Sequence, residues 1–314
     1  MGLVIGIDLG GTETKIGLVD EHGKILNKTT IPTLVSRGRE DVVARIANSI
    51  HNILDIANEK DKVLAIGIGS PGSIDRDSGK VLFSPNFPDW RDFPLASMIR
   101  KHTGLETFIE NDANAFILGE WAFGKYKGSK HMIGLTIGTG IGSGVISHGQ
   151  LITGHNGYAV ELGHIIVEPN GPLCGCGSHG CLEAVASATA IVRFAHEYRK
   201  RFPDSAIFSS EKIEAKTVID AAKSGDELGK IIFDRFIDAL ARGIGGFIHT
   251  FNPEVVIVGG GVSKAGDFLL KNLRERVDRY VMTSFKGTAK VDLSDLVEDA
   301  GIKGAASIVF YRKR

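Results

Sequence analysis

The sequence predicts an α/β protein built from two related domains, and three observations carry that expectation. A chain of 314 residues with 43% hydrophobic content can bury two apolar cores. Short β-type runs alternate with stretches whose apolar residues recur at helical spacing. The opening segment also has a second copy: GIDLGGTETKIGLVDEHGKI, from Gly6 to Ile25, aligns with GLTIGTGIGSGVISHGQL, from Gly134 to Leu151, once small gaps are allowed. Each copy reads strand, Gly/Thr-rich turn, strand, His-Gly turn, strand. Two glycine-turned hairpins can look alike by chance, but copies so far apart point to two related domains and not to a short-period solenoid. A cleft between such domains is the ordinary location of a small-molecule site.

The elements follow in order. Leu3 to Asp8, Lys15 to Asp20 and Lys24 to Thr30 read as three strands of an antiparallel meander. Asp41 to Asn58 reads as a helix on the spacing of Val42, Val43, Ile46, Ile50, Ile53, Leu54 and Ala57. Val63 to Ile68 is a buried-type strand ending at Gly69-Ser70-Pro71-Gly72, and Thr107 to Glu110 is another, followed by a helix beginning near Ala113. Downstream, Ala184 to Arg201 and Thr217 to Phe251 read as helices, the second interrupted by Gly243, Gly245 and Gly246. Glu254 to Val258 is a strand that runs into Gly259-Gly260-Gly261, with a helical segment from Ser263, and Ala300 to Tyr311 is a closing helix.

Charge and patterning exclude several classes. Lys plus Arg equals Asp plus Glu at 37 each, so no net field favours a polyanion, and nucleic acid is not an expected partner. The start, MGLVIGIDLGG, lacks a basic region before its apolar run and reads as a strand, not a signal peptide. No apolar run approaches the ~20 residues of a membrane-spanning helix, so a soluble, cytoplasmic protein is expected.

Three glycine loops end strands. In Asp8-Leu9-Gly10-Gly11-Thr12, backbone N–H groups can face an anion, Thr12 and Thr14 add hydroxyls, and Lys15 adds a point charge. Asp8 would repel a phosphate unless a cation lay between them, which implies Mg²⁺. Gly138-Thr139-Gly140-Ile141-Gly142 offers amides with no competing charge, and Gly259-Gly260-Gly261 would set a helix N-terminus near a nucleotide. Each loop alone is a weak signal, because a Gly-rich turn is more often just a tight turn. No G-x-x-x-x-G-K-S/T occurs, and the first loop leads into a strand, which argues against P-loop and dinucleotide-binding enzymes.

All three cysteines, Cys174, Cys176 and Cys181, lie in PLCGCGSHGCLE. An odd, tight set without a secretion signal argues against disulfides and for a metal, and structural Zn²⁺ takes four tetrahedral S or N ligands. His164 and His179 are the candidates for the fourth.

DLGGT before a strand, the later IGTGIGSGV loop and VIVGGGVS resemble the two phosphate elements and the adenosine element of the sugar kinase, Hsp70 and actin superfamily. Together with END-ANA, GYAVELGH and CGCGSHGCLE, they make the chain similar to the ROK family of sugar kinases and sugar-responsive repressors, from Val4 to the last helix, and closest to its bacterial glucokinase pattern. The resemblance implies two ribonuclease H-like (actin-like ATPase) domains with mixed sheets flanked by helices and an active-site cleft between them. A small domain would comprise residues 1–112 plus 299–314, and a large one 113–298 with the zinc loop. The implied activity is ATP-dependent phosphorylation of a hexose 6-hydroxyl, glucose first, with other hexoses and N-acetylhexosamines as alternatives. Asp112 is the implied general base and Asn111 a sugar ligand, although Asn-Asp at that point is equally well a helix N-cap. Glu161, His164 and Glu183 are the remaining implied sugar ligands, Asn86 adds a hydroxyl contact, and His164 completes the zinc site. ATP contacts fall on Asp8, Gly10, Gly11, Thr12, Thr14, Lys15, Thr139, Gly140, Gly260 and Gly261. Such kinases form homodimers or homotetramers.

Two rivals remain. A sugar-responsive repressor needs a DNA-binding module, for which a strand starting at residue 3 or 4 leaves no room. An Hsp70-like or actin-like ATPase gives no reason for the cysteine loop or for Glu161 and Glu183.

Overall fold

The computed structural model describes residues 2–57, 63–296 and 299–314. In chain order the elements are β1 (Leu3–Leu9), β2 (Glu13–Val19), β3 (Ile25–Pro32), α1 (Arg39–Ala57), β4 (Val63–Ser70), β5 (Ser73–Asp75), β6 (Lys80–Phe83), β7 (Arg91–Phe93), α2 (Leu95–Thr103), β8 (Thr107–Asn111) and α3 (Asp112–Phe123). They continue with β9 (Met132–Ile137), β10 (Ile141–Ser147), β11 (Gln150–Leu151), α4 (Leu182–Ala186), α5 (Ala188–Tyr198), α6 (Ala215–Lys223), α7 (Glu227–Phe251), β12 (Val255–Gly259), α8 (Asp267–Tyr280), β13 (Lys290–Leu293) and α9 (Ala300–Arg312). The expected end of the first helix, Asn58, lies outside the described residues. Among them no helix is long and apolar enough to cross a membrane.

The chain divides into two compact units: Met1–Ser129 with Leu151–Val160 and Asp295–Arg314, and Lys130–Gln150 with Glu161–Ser294. The first therefore extends past residue 112, because α3 packs along α9. A Cβ on Gly119 would lie 2.9 Å from the Gly304 Cα, so these helices meet backbone to backbone. Residue 298, at the other expected boundary, lies outside the described residues.

Two five-stranded sheets run β3-β2-β1-β4-β8 and β11-β10-β9-β12-β13. In both, a hairpin pairs antiparallel and the next strand joins it parallel: β1 with β2 then β4, and β9 with β10 then β12. The internal repeat read from the sequence is thus a repeat of topology. On the first sheet, one face is covered by α1 and α2 through Val43, Ile46, Ile50, Leu95 and Ile99, and the other by α9 through Ile302, Ala306 and Val309. Gly6 and Gly67 admit α9, since a Cβ on either would strike the Ile302 or Ala305 carbonyl at 2.2 and 1.9 Å. Trp90 is a core residue, 1% exposed and stacked on Phe87 at 4.2 Å.

Two helix expectations change. The helix from Ala184 is broken: α4 stops at Ala186, and Ser187 adopts an extended conformation and caps α5, its side chain accepting from the Ala190 N–H. Conversely, α7 runs unbroken through Gly243, Gly245 and Gly246. Gly243 and Gly245 serve packing, because a Cβ on them would meet Leu182 at 2.9 Å and the Tyr280 backbone oxygen at 2.9 Å.

Candidate active site

In the first unit, the expected residues gather at the carboxyl ends of adjacent parallel strands, the usual place for ligands on such sheets. Asp8 on β1 pairs with Gly69 on β4, which pairs with Glu110 on β8, so Asp8 and the Asn111-Asp112 segment sit ~10 Å apart across one sheet edge. Burial raises the Asp8 carboxyl above its ordinary range, the nearby Lys15 charge opposes this, and Glu13 adds to it. A divalent cation would relieve that cost, so the donor chemistry fits Mg²⁺. Lys15 itself pairs with Glu13 at 3.1 Å.

The first glycine loop is tied from within the unit. Gly10 N–H donates to the Glu13 carbonyl at 3.0 Å, and Thr33, just past β3, holds the loop twice. Its N–H donates to the Thr12 carbonyl at 2.8 Å and its hydroxyl to the Gly10 carbonyl at 2.7 Å. With that proton committed, the Thr14 hydroxyl donates to Thr33 Oγ1 at 2.8 Å. Thr14 is fully buried, so its expected place as a phosphate donor is corrected: its hydroxyl is spent inside the loop. Thr33, which no motif marks, is the residue that ties the loop together. Thr12 is exposed, and Asn86 lies against Gly11, where an added Cβ would be 3.1 Å from Asn86 Nδ2.

Asn111 caps α3, its Oδ1 accepting from the N–H groups of Ala113 at 2.9 Å and Asn114 at 3.4 Å, and its Nδ2 donates to the Gly72 carbonyl at 3.1 Å. The cap sets Asp112 exposed on the first turn of the helix, where its Oδ1 also accepts from the Ala113 N–H at 2.9 Å. Beneath it Glu110, buried, accepts from the Asn111 N–H at 3.0 Å and from Asn114 Nδ2 at 3.1 Å, and meets Arg76 Nε at 3.4 Å. Glu110 and Arg76 are supporting residues that motif reading missed. A carboxylate immediately before the Asn-Asp pair was the available signal.

In the second unit, two glycine loops meet at one sheet edge. Gly260 has φ +85 and lies so close to β9 that a Cβ would fall 2.5 Å from the Ile137 carbonyl oxygen, so only glycine fits. The segment after it is a short 3-10 turn, Gly261–Ala265, and α8 starts only at Asp267, which replaces the helix expected from Ser263. Thr139 is exposed at the tip of the other loop. Its carbonyl accepts from Thr189 Oγ1 at 2.8 Å, and the Gly138 carbonyl from the Ala188 N–H at 2.9 Å. Thr139 also borders a cavity of about 570 Å³ lined by residues of α5 and by Ala215 at the start of α6.

Glu161 is exposed, His164 and Glu183 half-buried. His164 Nδ1 lies 3.6 Å from Cys174 Sγ, and Cys176 Sγ lies 3.6 Å from Cys181 Sγ. The four ligand atoms fall within 4.8 Å of one another. Donors ~2.0–2.3 Å from a tetrahedral Zn²⁺ stand roughly 3.5–3.8 Å apart, so the set fits that ion. His179 is exposed, with Nδ1 on the Gly171 carbonyl at 3.1 Å, outside this group. Burial pushes the Cys181 thiol up to about 12 and raises Cys174, whereas the Ser178 N–H lowers Cys176. Glu183 Oε2 accepts from the Ile141 N–H at 2.9 Å, and its Oε1 lies 3.7 Å from Cys174 Sγ.

The chain shares 56% identity over 313 residues with a glucokinase of Thermotoga maritima, covering 98% of both proteins. A ROK family glucokinase of Streptomyces griseus, solved in complex with glucose and AMPPNP, superposes with TM-score 0.82 at 37% identity, covering 98% of this chain and 99% of that one. A xylose repressor of Caldicellulosiruptor bescii is 31% identical, covering 98% of this chain and 78% of that protein. The mixed sheets flanked by helices are those of the actin-like ATPase fold shared by these sugar kinases. The ROK family signature matches residues 4–312, and the chain belongs to the ROK family.

Proposed function

We infer that this protein is an ATP-dependent kinase that converts glucose to glucose 6-phosphate. The observation that carries this is the 56% identity across 98% of both chains with a glucokinase, supported by the likeness to a glucokinase solved with glucose and an ATP analogue.

The residue roles extend that reading. Asp112, held on the first turn of α3 by the Asn111 cap, takes the proton from the 6-hydroxyl as that oxygen attacks the γ-phosphoryl group of ATP in line. Glu161, Glu183 and the Nε2 side of His164 accept or donate to the other sugar hydroxyls. Asn111 has one amide N–H left for the sugar beside its cap and its bond to Gly72, and Asn86 lies at the rim of the first loop. Gly10, Gly11 and Thr12 carry one set of phosphate contacts, with Lys15 as a nearby charge, and Thr139 and Gly140 carry the other. The cavity beside Thr139 takes the adenosine, and Gly260 and Gly261 lie at the turn that packs on α6 along that cavity's side. Asp8 would hold Mg²⁺, which supplies charge neutralisation on the departing nucleotide. His164, Cys174, Cys176 and Cys181 would hold Zn²⁺, which fixes the segments bearing Glu161, His164 and Glu183. We place the enzyme in the cytoplasm as a homo-oligomer, feeding glycolysis.

A coupled assay of ADP formation with glucose, mannose, allose, fructose, N-acetylglucosamine and N-acetylmannosamine tests the reading. Glucose is expected to give the highest kcat/KM; a higher value for another sugar reassigns the substrate, and no sugar-dependent ADP release removes the kinase assignment.

A further inference from the structure

The cysteine loop and the second glycine loop meet at one residue, Ile141, at the start of β10. From one side comes Gly163, the residue before His164: its Cα lies so near the Ile141 peptide that a Cβ would stand 2.3 Å from the Ile141 carbonyl oxygen. The preceding N–H, of Leu162, donates to Ser143 Oγ at 3.0 Å. From the other side comes Glu183, two residues past Cys181, which accepts the Ile141 N–H at 2.9 Å and lies where a Cβ on Gly140 would be, 2.3 Å from its Oε2. The chain then runs on beneath the loop, with Ala188 and Thr189 donating to the carbonyls of Gly138 and Thr139. The two arms are joined to each other: Ile166 bridges Cys181, Leu182 N–H donates to the Ile165 carbonyl at 2.9 Å, and Val167 N–H to the Gly180 carbonyl at 2.9 Å.

We propose that the metal-binding loop is a clamp on the second glycine loop, so that metal loading sets nucleotide affinity and not only the arrangement of the sugar ligands. The proposal rests on the kinase reading above and adds a direction of coupling to it. His164 and Cys181 are the two metal ligands whose chain neighbours grip Ile141, and a metal ion holding both fixes the spacing of the two arms. Without that pin, the arms are joined by the Ile166–Cys181 bridge and the backbone bonds of Ile165 and Val167 beside it, and the amides of Thr139 and Gly140 lose their fixed aim. Gly163 and Glu183 are positioning residues in this scheme: they act on the nucleotide through Ile141.

The test measures Mg·AMPPNP binding by calorimetry in the absence of glucose. The zinc-loaded protein, its metal content established by elemental analysis, is compared with protein stripped by a chelator and shown by circular dichroism to remain folded. Stripping is expected to weaken nucleotide binding about tenfold or more, with recovery on adding Zn²⁺. Equal nucleotide affinity in the two forms overturns the proposal. Where the stripped protein unfolds, Gly163→Ala decides: it retains all four ligands and Glu183 but pushes on the Ile141 carbonyl. That variant is expected to bind AMPPNP about tenfold more weakly while zinc content and glucose affinity stay at wild-type values. Unchanged nucleotide affinity, or a matching loss for glucose, overturns the clamp. Failure of the loaded wild-type protein to bind AMPPNP at all would instead strike the kinase reading beneath it.

Discussion

The two units carry the same strand order but brace their glycine loops with different partners. In the first, the loop is tied by its own neighbours, through the Thr14–Thr33–Gly10 relay and the Gly10–Glu13 bond, and it carries a charged residue, Asp8, at its base. In the second, the loop has no charge of its own, and beyond one internal bond, from the Gly138 N–H to the Gly140 carbonyl at 3.0 Å, it is held from outside, by Ala188, Thr189, Glu183 and Gly163. The same topology thus carries different residues in its two copies: one loop has a largely buried carboxylate at its base, while the other is braced by the segments that flank the cysteine loop.

Four substitutions would break or sharpen that contrast. The largest effect is expected at Asp112, where Asn keeps the shape but not the base: kcat should fall roughly 10²–10⁴-fold with glucose affinity nearly retained, as read from steady-state rates and glucose titration. Wild-type turnover would remove Asp112 from its role.

Asp8→Asn comes next. Turnover should drop on the order of 100-fold from lost cation binding. The ligand-free fold should nevertheless gain stability, because a carboxyl whose folded pKa lies above its unfolded value disfavours the native state once pH exceeds the ordinary value of 3.8. For the same reason, the Asp8 contribution to wild-type stability should improve as pH falls through its raised folded pKa toward 3.8, and this component should be missing from the Asn variant in thermal melts across pH. A variant both less active and less stable would contradict this balance.

Thr33→Val should cost about 1–3 kcal/mol in denaturant unfolding, since it leaves the buried Thr14 hydroxyl and the Gly10 carbonyl without their shared partner. Thr189→Val, removing a single exposed bond to the Thr139 carbonyl, should cost only about 0.5–1.5 kcal/mol. Equal losses at the two sites would mean that the loops are not held as differently as their bonding shows.

The repeat, the sheet-ending glycine loops and the cysteine cluster were all legible in the chain, because each depends on local spacing. The three cysteines lie within one short segment, and the strands are short apolar runs bounded by glycine or polar turns. What failed to show were features set by distant partners. Gly243 and Gly245 look like helix breaks in a sequence, yet they serve close packing against Leu182 and Tyr280. Ser187 looks like a mid-helix residue, yet the next N–H is drawn to the Gly138 carbonyl and the helix parts there. Thr14 looks like a phosphate donor until Thr33, 19 residues away, claims its proton. Spacing alone left His164 and His179 open; the family resemblance chose His164, and that is the histidine grouped with the three cysteines, while His179 is turned to the Gly171 carbonyl.

The return of α9 to the first sheet has a consequence for biosynthesis. Gly6 and Gly67 are shaped to receive Ile302 and Ala305, and Val4, Val19 and Ala65 are covered from that side by Ile302, Ala306 and Val309. While the ribosome is still translating, the early strands must wait with one apolar face uncovered until α9 has left the exit tunnel. The unit spanning Lys130–Gln150 and Glu161–Ser294 has all of its strands and helices emerged before that point, so it can consolidate first. The part of the protein made earliest is then the last to close, and a nascent chain halted near residue 294 should expose that face to chaperones.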